Sequence, residues 1–209
     1  MDRISVANGP GAGMLVKEAA LVESWEQVVR VVPWLVVLAA SLVAVVLDLR
    51  SRRIPNRLTL PLLGAGLVWA GVTAGVTGLL LALLAAVLVS LPFVLMWLLG
   101  GAGAGDAKLL AAVAAWLGLA DGFVALLGVA LAGGVLAVGY VLTKRTFATT
   151  ARNFRSIGYG LFCLLFARGT WADRRALAPQ MQIQASMPYA VAIFTGTLAA
   201  GGWAWLHGG

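Results

Sequence analysis

Long apolar runs dominate the chain and leave it few ways to fold. Stretches of about 17 to 25 apolar residues, the length that crosses a hydrocarbon layer of about 30 Å, can be read at 31–47, 58–76, 79–99, 107–120, 123–142 and 187–206. The fourth of these is short. In lipid a backbone must satisfy its polar groups within its own segment, so such runs form helices. Of the 209 residues, 61% are hydrophobic and 11% charged, and the mean hydropathy is +0.96; a soluble domain carries about 25% charged residues. The expected fold is therefore all-α, a polytopic membrane helical bundle with about six transmembrane helices. Gly and Ala recur along the runs, which lets helices approach closely where lipid supplies no hydrophobic drive for association.

The polar minority narrows the chemistry. A single cysteine, Cys163, rules out an intrachain disulfide framework and a cysteine-cluster zinc site. The one histidine, His207, stands near the C-terminus with no metal-ligand or Ser/His constellation around it. No metal and no cofactor are expected. The net charge of +7 in so apolar a chain sets topology and contacts anionic membrane lipids, and nucleic acid is not an expected partner. The first apolar cluster, Met14 to Val16, is broken by Lys17 and Glu18, too short for a cleavable signal. The first long run is expected to remain in the mature protein.

Orientation follows from the basic residues. Arg50, Arg52, Arg53 and Arg57 fill the first loop, Lys108 opens the fourth run, and Lys144, Arg145, Arg152, Arg155, Arg168, Arg174 and Arg175 lie between the fifth and sixth. Those segments are expected on the cytoplasmic side. The alternate connections near 75–78 and 119–122 hold no basic residue, and Trp69, Trp116, Trp203 and Trp205 fall toward the same outer face, as an aromatic belt requires. The resulting division is an outer N-terminal tail over 1–30, a five-span core over 31–142, a basic cytoplasmic or interfacial connection over 143–186, and a final span with a short tail over 187–209. Within the connection, the apolar patch 157–167 is too short to span and reads as interfacial or re-entrant.

Two acids break the apolar pattern. Asp48 ends the first run in "VVLDLRSRRIPNRLTLP", and Asp106 opens the fourth in "GAGAGDAKLLAAVAAWLG". The topology brings both to one depth on the cytoplasmic face. Two carboxyls in a partly desolvated site share a proton; the ionised one can activate water while the protonated one polarises a peptide carbonyl. Gly103 and Gly105 allow the backbone beside Asp106 unusual dihedrals and close approach to an extended peptide. The competing reading is structural, with Arg52 facing Asp48 at i+4 if the helix continues and Lys108 near Asp106.

The blocks "DLRSRRIPNRLT" (48–59), "GAGDAKLLAAVAAWLG" (103–118) and "MPYAVAI" (187–193) occur in the order found in type IV prepilin peptidases, the GxGD aspartyl proteases, and the chain resembles their short members that process Flp prepilins of Tad pili. The resemblance implies an aspartyl endopeptidase of the bacterial inner membrane. Its substrate is a prepilin or pseudopilin with a basic leader and an apolar helix, cut on the cytoplasmic side. By motif it makes Asp48 and Asp106 the catalytic pair, Gly103 and Gly105 shapers of the site, and Asn56, Lys108 and Pro188 structural or substrate-positioning residues. Larger bifunctional members carry a cytoplasmic insertion with paired cysteines after the first span, which this chain lacks, so N-methylation of the product is not expected. The alternatives are a small proton-coupled transporter with the aspartates as a proton relay, or a noncatalytic scaffold of a secretion machine.

Overall fold

The structure, a computed structural model, describes residues 12–98, 103–144 and 189–207. They form four helices: α1 (Ala12–Ser51), α2 (Asn56–Leu98), α3 (Ala104–Lys144) and α4 (Tyr189–His207). Each is long and apolar enough to cross a membrane, which makes this a multi-pass membrane protein. The basic connection, with Cys163, Pro188 and the patch 157–167, lies outside the described residues.

Four helices stand where the sequence predicts about six runs, because two pairs of runs are joined without an intervening loop. At 1.5 Å per residue the 43 residues of α2 would extend about 65 Å, twice a hydrocarbon layer. α2 does not continue straight. Ala74 and Gly75 leave helical geometry, with φ of +65° at Gly75, a conformation that only glycine adopts at little cost. The Cβ position of Gly71 lies 3.9 Å from Leu79 Cβ, whereas eight residues of straight helix separate two positions by about 12 Å. The chain therefore turns back on itself. α3 does the same at Gly118, where φ is +78° and the Cβ position of Gly122 lies 3.4 Å from Ala114 Cβ. The sequence predicts this second connection at 119–122; the break falls at the glycine just before it.

At its N-terminus α1 begins at Ala12, well ahead of the predicted start at 31. Lys17, Glu18, Glu23 and Glu26 end the apolar pattern but are good helix formers, so the helix runs on with those side chains exposed.

Packing follows the membrane rule of small residues inside. Ala44, Ala85, Ala112, Ala114, Ala125 and Ala190 are fully buried, while Leu35, Val72, Leu80, Leu131 and Val135 stand outward. α2 packs most extensively on α3, α3 on α4, and α4 on α1. The α3–α4 crossing occurs at Gly128 and Gly196, where the two backbones meet directly. Between α2 and α3, Trp116 lies over Gly66, donates from Nε1 to the Leu62 carbonyl at 2.9 Å, and stacks on Trp69.

Candidate active site

Asp48 sits in the last turn of α1. The helix stops at Ser51 because Arg52 takes a left-handed conformation, φ +52°, from which its amide donates to the Asp48 carbonyl at 2.7 Å. This is an αL helix cap with arginine where glycine is usual. The helix thus does not continue through Arg52, and the i+4 pairing of Arg52 with Asp48 loses its premise. Only Arg52, Arg53, Ile54 and Pro55 connect α1 to α2. Ile54 turns inward and is buried, while Arg52 and Arg53 are exposed.

Asp106 belongs to the first turn of α3, and Gly103 precedes that helix as its N-cap. The Asp106 amide donates to the Gly103 carbonyl at 3.2 Å, and the Gly103 amide donates to the Asp106 carboxyl. An acid at the third helical position reaching back to the N-cap amide is a capping-box arrangement. It fixes the carboxyl's rotamer. A Cβ on Gly103 would lie 2.9 Å from Asp106 Oδ2, so this position is crowded by the acid itself. Gly105 serves a second contact: its Cβ position is 3.0 Å from Ile54 Cβ and 3.3 Å from the Ile54 carbonyl. The α1–α2 loop therefore seats directly on the start of α3.

A polar tie holds the same junction. Lys108 Nζ donates to Asn56 Oδ1 at 2.9 Å, which joins the first residue of α2 to the fifth of α3. The sequence pairs Lys108 with Asp106 by proximity; the structure sends its ammonium across to Asn56.

The third side comes from α4. Its Ala190 amide donates to Asp48 Oδ2 at 3.4 Å, so a helix N-terminus, with the positive end of its dipole, faces the Asp48 carboxylate. Next to it, the Tyr189 ring packs edge-on against Phe93, centroids 5.6 Å apart. Asp48 acts electrostatically on Asp106, and Asp106 on Tyr189. Both acids are half-buried, while Arg50, Arg57 and Lys108 on the same helix ends are exposed.

Asp48, Asn56, Gly103, Gly105, Asp106 and Lys108 thus converge at one end of the bundle, although 58 positions separate the two acids in sequence. Pro188 lies outside the described residues. Sequence reasoning missed the Ala190 amide and Tyr189. Tyr189 stands in the third motif block, whereas a backbone amide carries no residue signature. Among the described residues, no group of three or more His, Cys, Asp or Glu gathers as metal ligands do. What assembles is a pair of carboxyls at one junction, with the charge of Asp48 reaching Asp106. With one proton shared between them, such a pair can polarise a carbonyl and activate water together.

A model of the type IV leader peptidase family matches residues 35–138, a span that contains both acids, both glycines, Asn56 and Lys108. No curated protein and no solved structure matches the chain.

Proposed function

Because the chain belongs to the type IV leader peptidase family, and because its two motif acids stand at one junction of α1, α3 and α4, we propose that it is an aspartyl endopeptidase that removes the leader of Flp-like prepilins or pseudopilins. The carrying observation is the convergence itself: the charge of Asp48 acts on Asp106, and a backbone amide orients each acid, that of Ala190 from α4 for Asp48 and that of the Gly103 cap for Asp106. In this reading the ionised member of the pair takes a proton from water as the water oxygen attacks the scissile carbonyl carbon. The protonated member donates to the carbonyl oxygen. Collapse of the tetrahedral adduct then breaks the C–N bond, and the proton taken from water passes to the leaving amine.

Counting each arm of α2 and α3 as one pass gives six passes and returns both acids to one membrane face. The basic residues make that face cytoplasmic. A prepilin's apolar helix enters from the bilayer against the outward-facing leucines and valines. Exposed Arg50, Arg52, Arg53 and Arg57 beside Asp48 repel a basic leader, so recognition rests on that helix, with anionic lipid screening the charge. The four-residue α1–α2 connection offers no surface for S-adenosylmethionine, and the product leaves unmethylated. A proton relay is the poorer reading, since it calls for acids near mid-membrane and both stand at helix ends.

The test is co-expression with a small protein bearing a basic leader, a glycine and an apolar helix, read by intact mass. Asp48→Asn and Asp106→Asn are each expected to abolish leader removal while the chain still accumulates in the membrane. Substantial cleavage by either purified variant refutes the pair. Product with the mass of an added methyl group refutes the unmethylated outcome alone.

A further inference from the structure

At the end of the bundle remote from the acids, α1, α2 and α3 surround a half-open cavity of about 330 Å³, within the range of roughly 300–1,000 Å³ typical of small-molecule sites. Arg30, Asp121, Thr73, Trp34, Trp69 and Trp116 line it. Arg30 precedes Asp48 along the uninterrupted α1 by about 27 Å of helix axis, close to one hydrocarbon thickness. On α2 and α3 the lining gathers at the reversals, around Ala74 and Gly118. The cavity therefore lies at headgroup depth in the leaflet opposite the acids.

Its tryptophan wall is held by contacts within the protein. Trp116 is held by its hydrogen bond to the Leu62 carbonyl and stacks on Trp69 at 5.9 Å and 29°. The Thr73 hydroxyl donates to the Trp69 carbonyl at 2.9 Å, which leaves its oxygen lone pairs as acceptors. The charge of Arg30 acts on Asp121. An aromatic belt with a neutralising ion pair would account for these residue types on an outer surface. Here they enclose space instead, with one cation, one anion and aromatic faces around it.

That set of groups selects a ligand with both charges. A guanidinium matches a phosphodiester in bidentate fashion, and a carboxylate beside tryptophan faces matches an ammonium. A glycerol-type headgroup offers Asp121 no cation, and a phosphomonoester brings it more negative charge. We propose that this cavity binds the zwitterionic headgroup of a phospholipid, its phosphodiester on Arg30 and its ammonium on Asp121 and the tryptophan faces. The acyl chains then lie along the outward-facing Val68 and Val72 of α2.

The experiment uses the full chain, stripped of lipid in detergent and read by native mass spectrometry against dihexanoyl-phosphatidylethanolamine, -phosphatidylcholine and -phosphatidylglycerol, with inorganic phosphate as competitor. One zwitterionic lipid should be retained per chain, and phosphatidylglycerol at least about tenfold more weakly, the loss expected when one charge-assisted hydrogen bond goes. The isosteric Asp121→Asn should remove that preference, and Arg30→Gln should weaken all three lipids. Equal retention of phosphatidylglycerol by the unsubstituted chain overturns the proposal, and so does retention indifferent to Asp121→Asn. Displacement of the lipid by inorganic phosphate at comparable concentration identifies a free-phosphate site and overturns it too. If a variant does not fold, the headgroup series on the unsubstituted chain decides.

Discussion

Gly196→Ala adds one methyl group at the place where α3 and α4 touch backbone to backbone. A Cβ there would overlap the amide and Cα of Val129, well inside the 3.0 Å that real Cβ atoms respect. No rotamer relieves a backbone clash, so α4 must back away. A gap of about 0.5–1 Å already forfeits a quarter to a half of the dispersion attraction between facing atoms. Overpacking of this kind costs about 1–3 kcal/mol, and a backbone obstacle puts Gly196→Ala at the upper end. Relief of glycine's helix penalty returns about 0.5–1 kcal/mol, for a net loss of about 2 kcal/mol. The catalytic effect is larger. α4 carries the Ala190 amide, whose hydrogen bond to Asp48 is already long at 3.4 Å and does not survive such a displacement. Misplacement by about 1 Å can cost about 100-fold in rate. Thermal unfolding in detergent and prepilin cleavage by intact mass should therefore both fall, cleavage by about two orders of magnitude. Gly202→Ala, on the same helix with open space at its Cβ, should leave cleavage unchanged and raise stability by about 0.5–1 kcal/mol. A Gly196→Ala chain as stable and active as the parent refutes the crossing.

Lys108→Ala and Asn56→Ala should each slow cleavage, and the double variant should be little worse than either, because one hydrogen bond is lost once; full additivity in a double-mutant cycle refutes the tie. Gly105→Val should lower cleavage and stability together by forcing the Ile54 loop off α3, with about 1–3 kcal/mol lost in thermal unfolding. Strong chelators should leave leader removal intact, since the mechanism rests on two carboxyls; loss on chelation with recovery on adding zinc refutes it.

Residue type alone made much of this legible. Apolar runs announce helices because lipid removes every other backbone solution, and acids at the ends of two runs point to one shared depth. Spacing also shows that Gly103 and Gly105 matter, though not how. One crowds against the Asp106 carboxyl and the other admits Ile54, and the difference lies in three-dimensional neighbours. Lys108 illustrates the same limit: its nearest acid in sequence is Asp106, but its partner is Asn56, 52 positions away. The early start of α1 escaped because hydropathy reports where lipid is, while helix propensity carries the chain on past it. The Ala190 amide is invisible to any reading by residue type, since every residue except proline has one.

The hydrogen bond from Ala190 to Asp48 joins positions 142 residues apart, and ribosomes add about 5–20 residues per second. Asp48 consequently waits roughly 7–28 s after its own synthesis before the amide that orients it exists. During that interval α1 to α3 can insert and bring Asp106 alongside, yet α4 has still to pack against Gly128. On the proposed mechanism, the acid pair is fully oriented only once α4 has been made.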